Sequence, residues 1–520
     1  MSFKSISKKE KLNHYFPLAF FIILSALFIF RMDVNPHHNS KYSYYETKLH
    51  SSKITHFLSS VIEHYSKNDQ ANVDYITLIK NYREHTEQET TSSFLAFPFC
   101  KKLDTNRNDV WKPYIHRTDS MNIVMIYLEG MSSEFIGDSS KYRGGTPFLD
   151  SLAKKSLYWP NMLSITDRTH GVFAATLGGL PHGYERGFLN LKNYPLFLSL
   201  PHLLQKRNYN FNFFYGGDAY FDSYLRFLKK LNFSNIVDLG YMEKNYQLKG
   251  NNTPEKFSWG LHDKKVAQSY FRFMDENTNT QPYFNLWLTL SLHSPFDIPN
   301  KAHYIERTKT QFEHLGSGFV EYNKDVLSSL CYTDDALRAF FEDYKKREDY
   351  KNTVFILMGD HAVLNLNNTD VLGLYNVPLI VFSPLQKEVK TFHEIISHWD
   401  IPQSLMELID KDFNKKNLMV NWLGAGMKFS QKCSASEPIY LGTFKGDLYG
   451  VCWKDYLLMH DKLYHIHGDF ELEEVENQEI KHSYQALLSE YELLNSYTIE
   501  QEKIYPLQAI ISLNEDGQLE

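Results

Sequence analysis

Short apolar runs alternate with amphipathic stretches between about residues 119 and 430. Five of the runs have the length and the β-branched or aromatic content of buried strands: Asn122–Leu128, Phe211–Tyr215, Tyr283–Ser291, Thr353–Met358 and Leu379–Phe382. Segments between them, such as 146–157 and 332–344, have helical spacing. Strands that alternate with helices predict an α/β fold, with a mostly parallel sheet sandwiched by helices.

Polar residues follow four of the predicted strands. In chain order they are Glu129, Gly216-Gly217-Asp218, His293 and Asp360-His361. Open sheets of this kind bind their ligands at the carboxyl ends of the strands. The sequence therefore predicts a polar site at one edge of the sheet.

The N-terminus carries an uncharged apolar run, Phe16–Phe30, which Tyr15 and Arg31 could extend at the interfaces. Lysines dominate before it, so the positive-inside rule keeps the N-terminus in the cytoplasm and exports the rest. A cleaved signal peptide is the alternative, although no clear small-x-small cleavage site follows the run. We predict a single-pass protein of the bacterial inner (plasma) membrane, with a periplasmic or extracellular catalytic domain.

Five regions are predicted along the chain. Residues 32–118 are polar with patches of helical spacing, and residues after 430 contain short aromatic segments and a helical pattern at 482–494. The predicted regions are a cytoplasmic tail at 1–15, a transmembrane anchor at 16–31, a stalk or linker at 32–118, a catalytic domain at 119–430 and a C-terminal subdomain with tail at 431–520.

Composition excludes one class of partner. Apolar residues make up 43% and charged residues 22% of the 520 residues, as in ordinary globular proteins. The net charge of -7 lacks the basic bias of a nucleic-acid-binding surface, so no nucleic-acid partner is predicted. Of the four cysteines, Cys433 and Cys452 are close enough in sequence for a disulfide, while four free thiols are the favoured alternative.

Glu129, Asp360 and His361 form a ligand set that suits a divalent metal such as Zn or Mn, with one position left open. An isolated Asp-His pair more often caps a helix and forms an ordinary hydrogen bond. A carboxylate that ends a distant strand shifts the balance toward a metal site.

A nucleophile for such a site is found at residues 166–171, before a helix of small residues. Thr169 would have backbone N–H groups and a helix N-terminus beside it, which suits an anionic phosphoryl group. A metal would also stabilise the alkoxide of a hydroxyl nucleophile. The alternative is that Thr169 is an ordinary N-cap residue.

Several ordered blocks resemble one family. They are NIVMIYLEGMSSEFIG, TPFLDSLAKKSLYWPNMLSI, DRTHGVFAATLGGLP, FFYGGDAYFDSYLRFLKKLNF, SWGLHDK, LTLSLHSPF, CYTDDALRAFF, FILMGDHA, YNVPLIVFSP and HWDIPQSLMELI, within residues 121–412. The blocks resemble bacterial lipoteichoic acid synthases and phosphoglycerol transferases, in the sulfatase-like branch of the alkaline phosphatase superfamily. The resemblance implies an alkaline phosphatase/sulfatase-like fold and a divalent metal (Mn, Zn or Mg).

The resemblance also implies roles for individual residues. Glu129, Asp360 and His361 would bind the metal, and Thr169 would be both ligand and nucleophile. His293 would assist catalysis near the substrate head group. The residues expected to bind substrate are Asp218, His293, Arg168 and Trp259. Trp259 and Asp263 belong to a WG-x-x-D block, in which Asp263 receives no role, and His398 is expected to be structural.

The implied reaction transfers a phosphoglycerol or phosphoethanolamine head group from a membrane phospholipid to a hydroxyl of a glycan or glycolipid, through a phospho-threonine. The alternatives are a phosphodiesterase or phosphatase, a sulfuric ester hydrolase, and a catalytically dead scaffold. The formylglycine motif of sulfatases, C/S-x-P-x-R, does not occur.

Three departures from the family pattern leave details open. The chain offers one apolar span where the synthases have several. The loop Tyr215–Asp222 lacks the family's His-Gly-Asp and Trp-Asn-Arg residues. The tight spacing of DRTHG also leaves Thr166 as a second candidate nucleophile. A second metal would have His293 and His398 available.

Overall fold

The computed structural model describes residues 73–88, 95–183, 187–250, 258–278, 282–363, 366, 371–443, 446–468 and 470–509. The chain divides into two units, Met1–Asp74 and Tyr75–Glu520, and the account below concerns the second. The predicted tail and anchor at 1–31 lie outside the described residues and stay predictions. Among the residues that are described, no helix combines the length and apolar character of a membrane span.

A nine-stranded mixed sheet forms the centre of the larger unit, in the order β10-β3-β8-β7-β2-β6-β4-β5, with β9 beside β3. Its strands are β2 (Asn122–Leu128), β3 (Leu157–Leu163), β4 (Asn210–Tyr215), β5 (Asn235–Val237), β6 (Tyr283–Leu288), β7 (Thr353–Gly359), β8 (Asn376–Phe382), β9 (Lys390–Thr391) and β10 (Ile396–Ser397). Neighbours from β7 to β5 are parallel, whereas β8 is antiparallel to both β7 and β3. The expected α/β fold with a mostly parallel sheet is confirmed, except that β8 runs antiparallel to its neighbours.

Twelve α-helices surround the sheets in the described part of the chain. They are α1 (Tyr75–His85), α2 (Pro147–Ala153), α3 (Thr169–Gly178), α4 (Leu200–Gln205), α5 (Tyr224–Lys230), α6 (Leu239–Tyr246), α7 (Asp263–Glu276), α8 (Lys301–Gln311), α9 (Ser317–Tyr322), α10 (Lys324–Tyr344), α11 (Ile401–Ile409) and α12 (Gln478–Glu500).

The central strand β2 shows why the sheet is covered on both faces. All seven of its residues are buried. Because side chains alternate along a strand, Ile123, Met125 and Tyr127 enter one hydrophobic core with α3, α4, α5 and α11. Val124, Ile126 and Leu128 enter another core with α2, α7 and α10. The result is a three-layer sandwich.

A second, antiparallel sheet follows in the order β12-β13-β14-β15-β16. Its strands are β12 (Ala435–Gly442), β13 (Leu448–Lys454), β14 (Tyr456–Met459), β15 (Lys462–Ile466) and β16 (Leu472–Glu474). The helical pattern predicted at 482–494 lies within α12, which packs on β13 and on α1. A short pair, β1 (Lys101–Lys102) and β11 (Met419–Val420), completes the strands. The predicted domain boundaries remain predictions.

All four cysteines are buried free thiols, including Cys433 and Cys452, as the favoured alternative expected.

Candidate active site at the carboxyl ends of the strands

The potential metal ligands come together because β2 and β7 are parallel neighbours. Leu128 and Gly359, the last residues of the two strands, are in register. Glu129 and Asp360 therefore leave the sheet side by side, and His361 follows. All three side chains are buried, and one ligand atom of each lies within 4.8 Å of the others.

Backbone groups fix the orientation of these side chains. Asp360 Oδ1 accepts hydrogen bonds from the N–H groups of Gly130 (2.9 Å) and His361 (2.7 Å). The other oxygen, Oδ2, is buried and has no hydrogen-bond partner among the residues that the structure describes. His361 Nδ1 lies 2.9 Å from the Ala362 carbonyl oxygen, so it carries the proton. The lone pair of Nε2 then faces Glu129 Oε1 and Asp360 Oδ2, each at 3.6 Å.

Thr169 joins this cluster through its hydroxyl group. Its Oγ1 donates to Glu129 Oε2 at 3.1 Å and lies 3.5 Å from His361 Nε2. Thr169 is the first residue of α3, and Arg168 occupies the N-cap position in an extended conformation. The alternative in which Thr169 is an N-cap is therefore wrong. The hydroxyl lies at a helix N-terminus, where an anionic group is favoured.

Thr166, the second candidate nucleophile, has a different environment. Its methyl carbon Cγ2 packs so closely on Gly171 that a β-carbon there would lie 2.3 Å away. Its hydroxyl is buried and has no hydrogen-bond partner within the described residues. The geometry thus favours Thr169 over Thr166.

The electrostatics of the cluster fit a divalent cation. Burial, and then the neighbouring Asp360 carboxylate, raise the pKa of Glu129. Burial lowers the pKa of His361, but Asp360 and Glu129 outweigh it and raise the pKa overall. The cluster therefore offers suitable ligands for Zn or Mn. These are two buried carboxylates, including the Oδ2 atom of Asp360, and a correctly oriented imidazole.

His293 packs against aromatic side chains and interacts electrostatically with Asp360 of the cluster. Its ring meets Trp259 edge-on, with 5.1 Å between centroids, and Trp259 lies 4.9 Å from the ring of Phe221. Trp259 Nε1 donates to the Ser294 carbonyl oxygen at 2.7 Å. Burial lowers the pKa of His293, and the contact with the Ser294 backbone and the charge of Asp360 partly oppose this effect.

Asp222, which the sequence did not single out, interacts electrostatically with His293 and Arg168. It is half-buried; burial raises its pKa, and Arg168 and His293 act in the opposite direction. Asp218 is instead exposed, and its Oδ1 accepts from the N–H of Tyr220 at 2.9 Å. Arg168, the N-cap residue before Thr169, also acts electrostatically on His293, and its substrate-binding role stays a prediction. Asp222 has a left-handed backbone conformation, with φ of 46°.

Asp263 supports the segment that carries His293. Its buried carboxylate, at the N-terminus of α7, accepts from the N–H groups of Leu290 (2.8 Å) and Ser291 (3.2 Å). The N–H of His293 in turn donates to the Leu290 carbonyl oxygen at 3.0 Å. This explains the acidic residue of the WG-x-x-D block.

His398 contacts the end of β7, one residue before Asp360. It is buried, its Nε2 is 2.9 Å from the carbonyl oxygen of Gly359, and burial lowers its pKa to about 4. Its contact at the end of β7 agrees with the structural role that was expected.

A three-layer α/β sandwich with an acidic and imidazole cluster at its strand ends is typical of enzymes of the alkaline phosphatase superfamily. The sequence profile of the sulfatase family matches residues 121–411, more than half of the chain, so the chain belongs to the sulfatase family. The expected resemblance is thereby confirmed.

Individual relatives are distant. A lipoteichoic acid synthase of Staphylococcus aureus is 24% identical over 308 residues, which cover 58% of this chain and 44% of the relative. The chain therefore spans less than half the length of the curated relatives it matches.

Solved structures show the same fold. A protein of the alkaline phosphatase superfamily from Vibrio parahaemolyticus matches with a TM-score of 0.61 and 19% identity, over 84% of this chain and 98% of that one. The lipoteichoic acid synthase LtaP from Listeria monocytogenes matches with a TM-score of 0.57 and 15% identity, over 81% and 98%.

Proposed function

We propose that the protein transfers a phosphoryl head group, of the phosphoglycerol or phosphoethanolamine type, from a membrane phospholipid to a glycan or glycolipid hydroxyl. The observation that carries the proposal is the Thr169 hydroxyl, hydrogen-bonded to Glu129 at 3.1 Å beside the buried cluster. The relationship to a lipoteichoic acid synthase supports a lipid-derived substrate. The anchor predicted at 16–31 would hold the site near its lipid donor.

Two displacements at phosphorus make up the proposed reaction. In the first, a bond forms between Thr169 Oγ1 and the lipid phosphorus, and the bond from phosphorus to the diacylglycerol oxygen breaks. In the second, the oxygen of an acceptor hydroxyl bonds to the phosphorus and the bond from phosphorus to Thr169 Oγ1 breaks. The net effect moves the acceptor's proton to Oγ1, as the first step moves the Thr169 proton to the diacylglycerol oxygen. Nucleophilic catalysis of this kind divides one difficult substitution into two easier ones.

The chain's own side chains have separate parts in these steps. Glu129 Oε2 accepts the hydrogen bond of the nucleophile and fixes its direction. The N-terminus of α3 and Arg168 bind the anionic phosphoryl oxygens. His293 exchanges a proton with the leaving or attacking oxygen. Glu129, Asp360 and His361 would hold a divalent ion (Mn, Zn or Mg), which would supply positive charge that favours an ionised hydroxyl and neutralises phosphate.

The proposal is tested with the full chain reconstituted in vesicles of mixed phosphatidylglycerol and phosphatidylethanolamine, with Mn²⁺ or Zn²⁺. We expect diacylglycerol to be released, and the lipid consumed identifies the donor by mass spectrometry. Thr169→Ala should abolish release, whereas the matched variant Thr166→Ala should retain it. Substantial turnover by Thr169→Ala would refute the nucleophile.

The fate of the head group separates transfer from hydrolysis. A head group attached to an added glycolipid supports a transferase, and a free head group supports a phosphodiesterase or phosphatase. Absence of diacylglycerol from a metal-loaded protein would redirect the proposal to a soluble phosphate or sulfate ester.

A further inference from the structure

A second group of potential metal ligands lies on the last two strands of the C-terminal sheet. His465, His467 and Glu473 each offer one ligand atom, and these atoms lie within 4.8 Å of one another. The proposed transfer reaction uses none of them. They lie on the part of the chain after residue 430, outside the matched sulfatase region.

Strand geometry explains how the sequence brings these side chains together. His465 and His467 are two residues apart, so along an extended chain they point to the same face. The N–H of His467 donates to the Glu471 carbonyl oxygen at 2.9 Å, which extends the pairing beyond the end of β15. Glu473 on β16 is the register partner of His465. Opposed residues of an antiparallel pair have neighbouring side chains.

The side chains of the group contact one another and remain partly exposed to solvent. His467 Nε2 lies 2.9 Å from Glu473 Oε2, and the two imidazole centroids are 4.6 Å apart. Tyr456, which faces His465 from β14, packs its ring 5.1 Å away. His467 and Glu473 keep 46% and 64% of their side-chain surface exposed. A solvent ion can therefore reach the group, and both side chains can adjust.

An ordinary ion pair between His467 and Glu473 is the simpler explanation of the 2.9 Å contact. An exposed pair of this kind contributes little to stability, because water screens its charges. It involves only the His467 imidazole, while the His465 ring packs beside it and against Tyr456. Two imidazoles and one carboxylate, in contrast, are a common set of protein ligands for zinc.

We propose that His465, His467 and Glu473 form a surface site for a divalent cation of the zinc type. Its fourth position is open to water. The site has two imidazoles and one carboxylate, whereas the buried cluster has one imidazole and two carboxylates. Since imidazole ligands favour Zn²⁺, Cu²⁺ and Ni²⁺ and carboxylates favour Mn²⁺ and Mg²⁺, the two sites should differ in preference. A bound ion would join β15 to β16.

The test measures bound zinc on the full chain in detergent, by equilibrium dialysis at micromolar free Zn²⁺ and elemental analysis. We expect the double variant His465→Gln/His467→Gln to lose one equivalent relative to the wild type. Glu474→Gln should lose none, since Glu474 pairs with Lys462 at 2.8 Å. Asp360→Asn, which impairs the buried cluster, should still retain the ion that the double variant loses.

Unchanged zinc content in the double variant would overturn the site. So would binding only at millimolar Zn²⁺, which would mark an adventitious ion only. A second measurement requires no variant: Zn²⁺ should protect His465 and His467 from diethyl pyrocarbonate, read by peptide mass spectrometry. Equal modification with and without Zn²⁺ would contradict the proposal. Neither measurement depends on enzymatic activity, so the proposed transfer reaction stands or fails separately.

Discussion

Replacing Asp263 by Asn tests whether this buried carboxylate positions His293. The Asp263 side chain accepts backbone hydrogen bonds of 2.8 and 3.2 Å from Leu290 and Ser291. Hydrogen bonds to charged groups contribute ~1.5–3 kcal/mol each. Asparagine keeps one acceptor oxygen and turns an N–H toward the other donor. Burial raises the pKa of Asp263 to about 6, so its charge is itself costly. We expect a net loss of about 2 kcal/mol in the free energy of unfolding.

The same substitution should also reduce turnover. Leu290 links Asp263 to His293, because the N–H of His293 donates to the Leu290 carbonyl oxygen at 3.0 Å. A shift of this segment displaces the His293 ring, and misplaced groups cost on the order of tenfold to a hundredfold in rate. The assay is urea unfolding followed by tryptophan fluorescence, together with kcat for diacylglycerol release at a temperature where the variant is folded.

Asp334→Asn is the matched control. Asp334 is also buried and accepts two backbone hydrogen bonds, each of 2.9 Å, from Phe148 and Leu149 at the start of α2. We expect it to lose similar stability while kcat for the folded protein stays close to that of the wild type. Equal losses of kcat in the two variants, or unchanged kcat in Asp263→Asn, would refute the positioning role.

Three further predictions address the ion, the head group and acid stability. Chelation should abolish diacylglycerol release and lower the melting temperature, because Glu129 and Asp360 then face each other without a cation. Added Mn²⁺ or Zn²⁺ should restore both the release and the melting temperature. Activity that persists in EDTA contradicts this prediction. Asp222→Asn should raise KM for the lipid more than it lowers kcat, since the Asp222 charge interacts with Arg168, the side chain proposed to bind the phosphoryl group, and would help to hold it in place. An unchanged KM would exclude Asp222 from binding. Burial lowers the pKa of His182 from 6.5 to about 4. The unfolded state therefore takes up the proton first, so the contribution of His182 to stability, complete above pH 6.5, should fall by about 2 kcal/mol by pH 5. His182→Gln should make the profile shallower by that amount in urea titrations, and identical slopes would refute the assignment.

The strands were largely predictable because each buried strand corresponds to a short apolar run in the sequence. β2 has the bounds that its apolar run predicted, Asn122–Leu128. β6 ends at Leu288 instead of Ser291, because the backbone N–H groups of Leu290 and Ser291 donate to a carboxylate and not to a neighbouring strand. The antiparallel direction of β8 could not be predicted, since apolar periodicity carries no information on strand direction.

The site was predictable to the extent that its residues directly follow strands. Glu129, Asp360 and His361 lie together because β2 and β7 are adjacent and in register. Asp222 could not be predicted, because its position depends on a left-handed turn in the loop after β4. Assigning the site residues to catalysis remains a proposal.

The link between Gly130 and Asp360 has a consequence for folding. The N–H of Gly130 donates to Asp360 Oδ1, and the N–H of Val363 returns a hydrogen bond to the Gly130 carbonyl oxygen at 3.1 Å. These partners are separated by 230 residues in the case of Asp360. The ligands can therefore converge only after β2 and β7 have paired across that long intervening segment. Uptake of a metal ion during refolding would report this late, non-local event, and the nascent chain would be unable to hold the ion until the strand pair is complete.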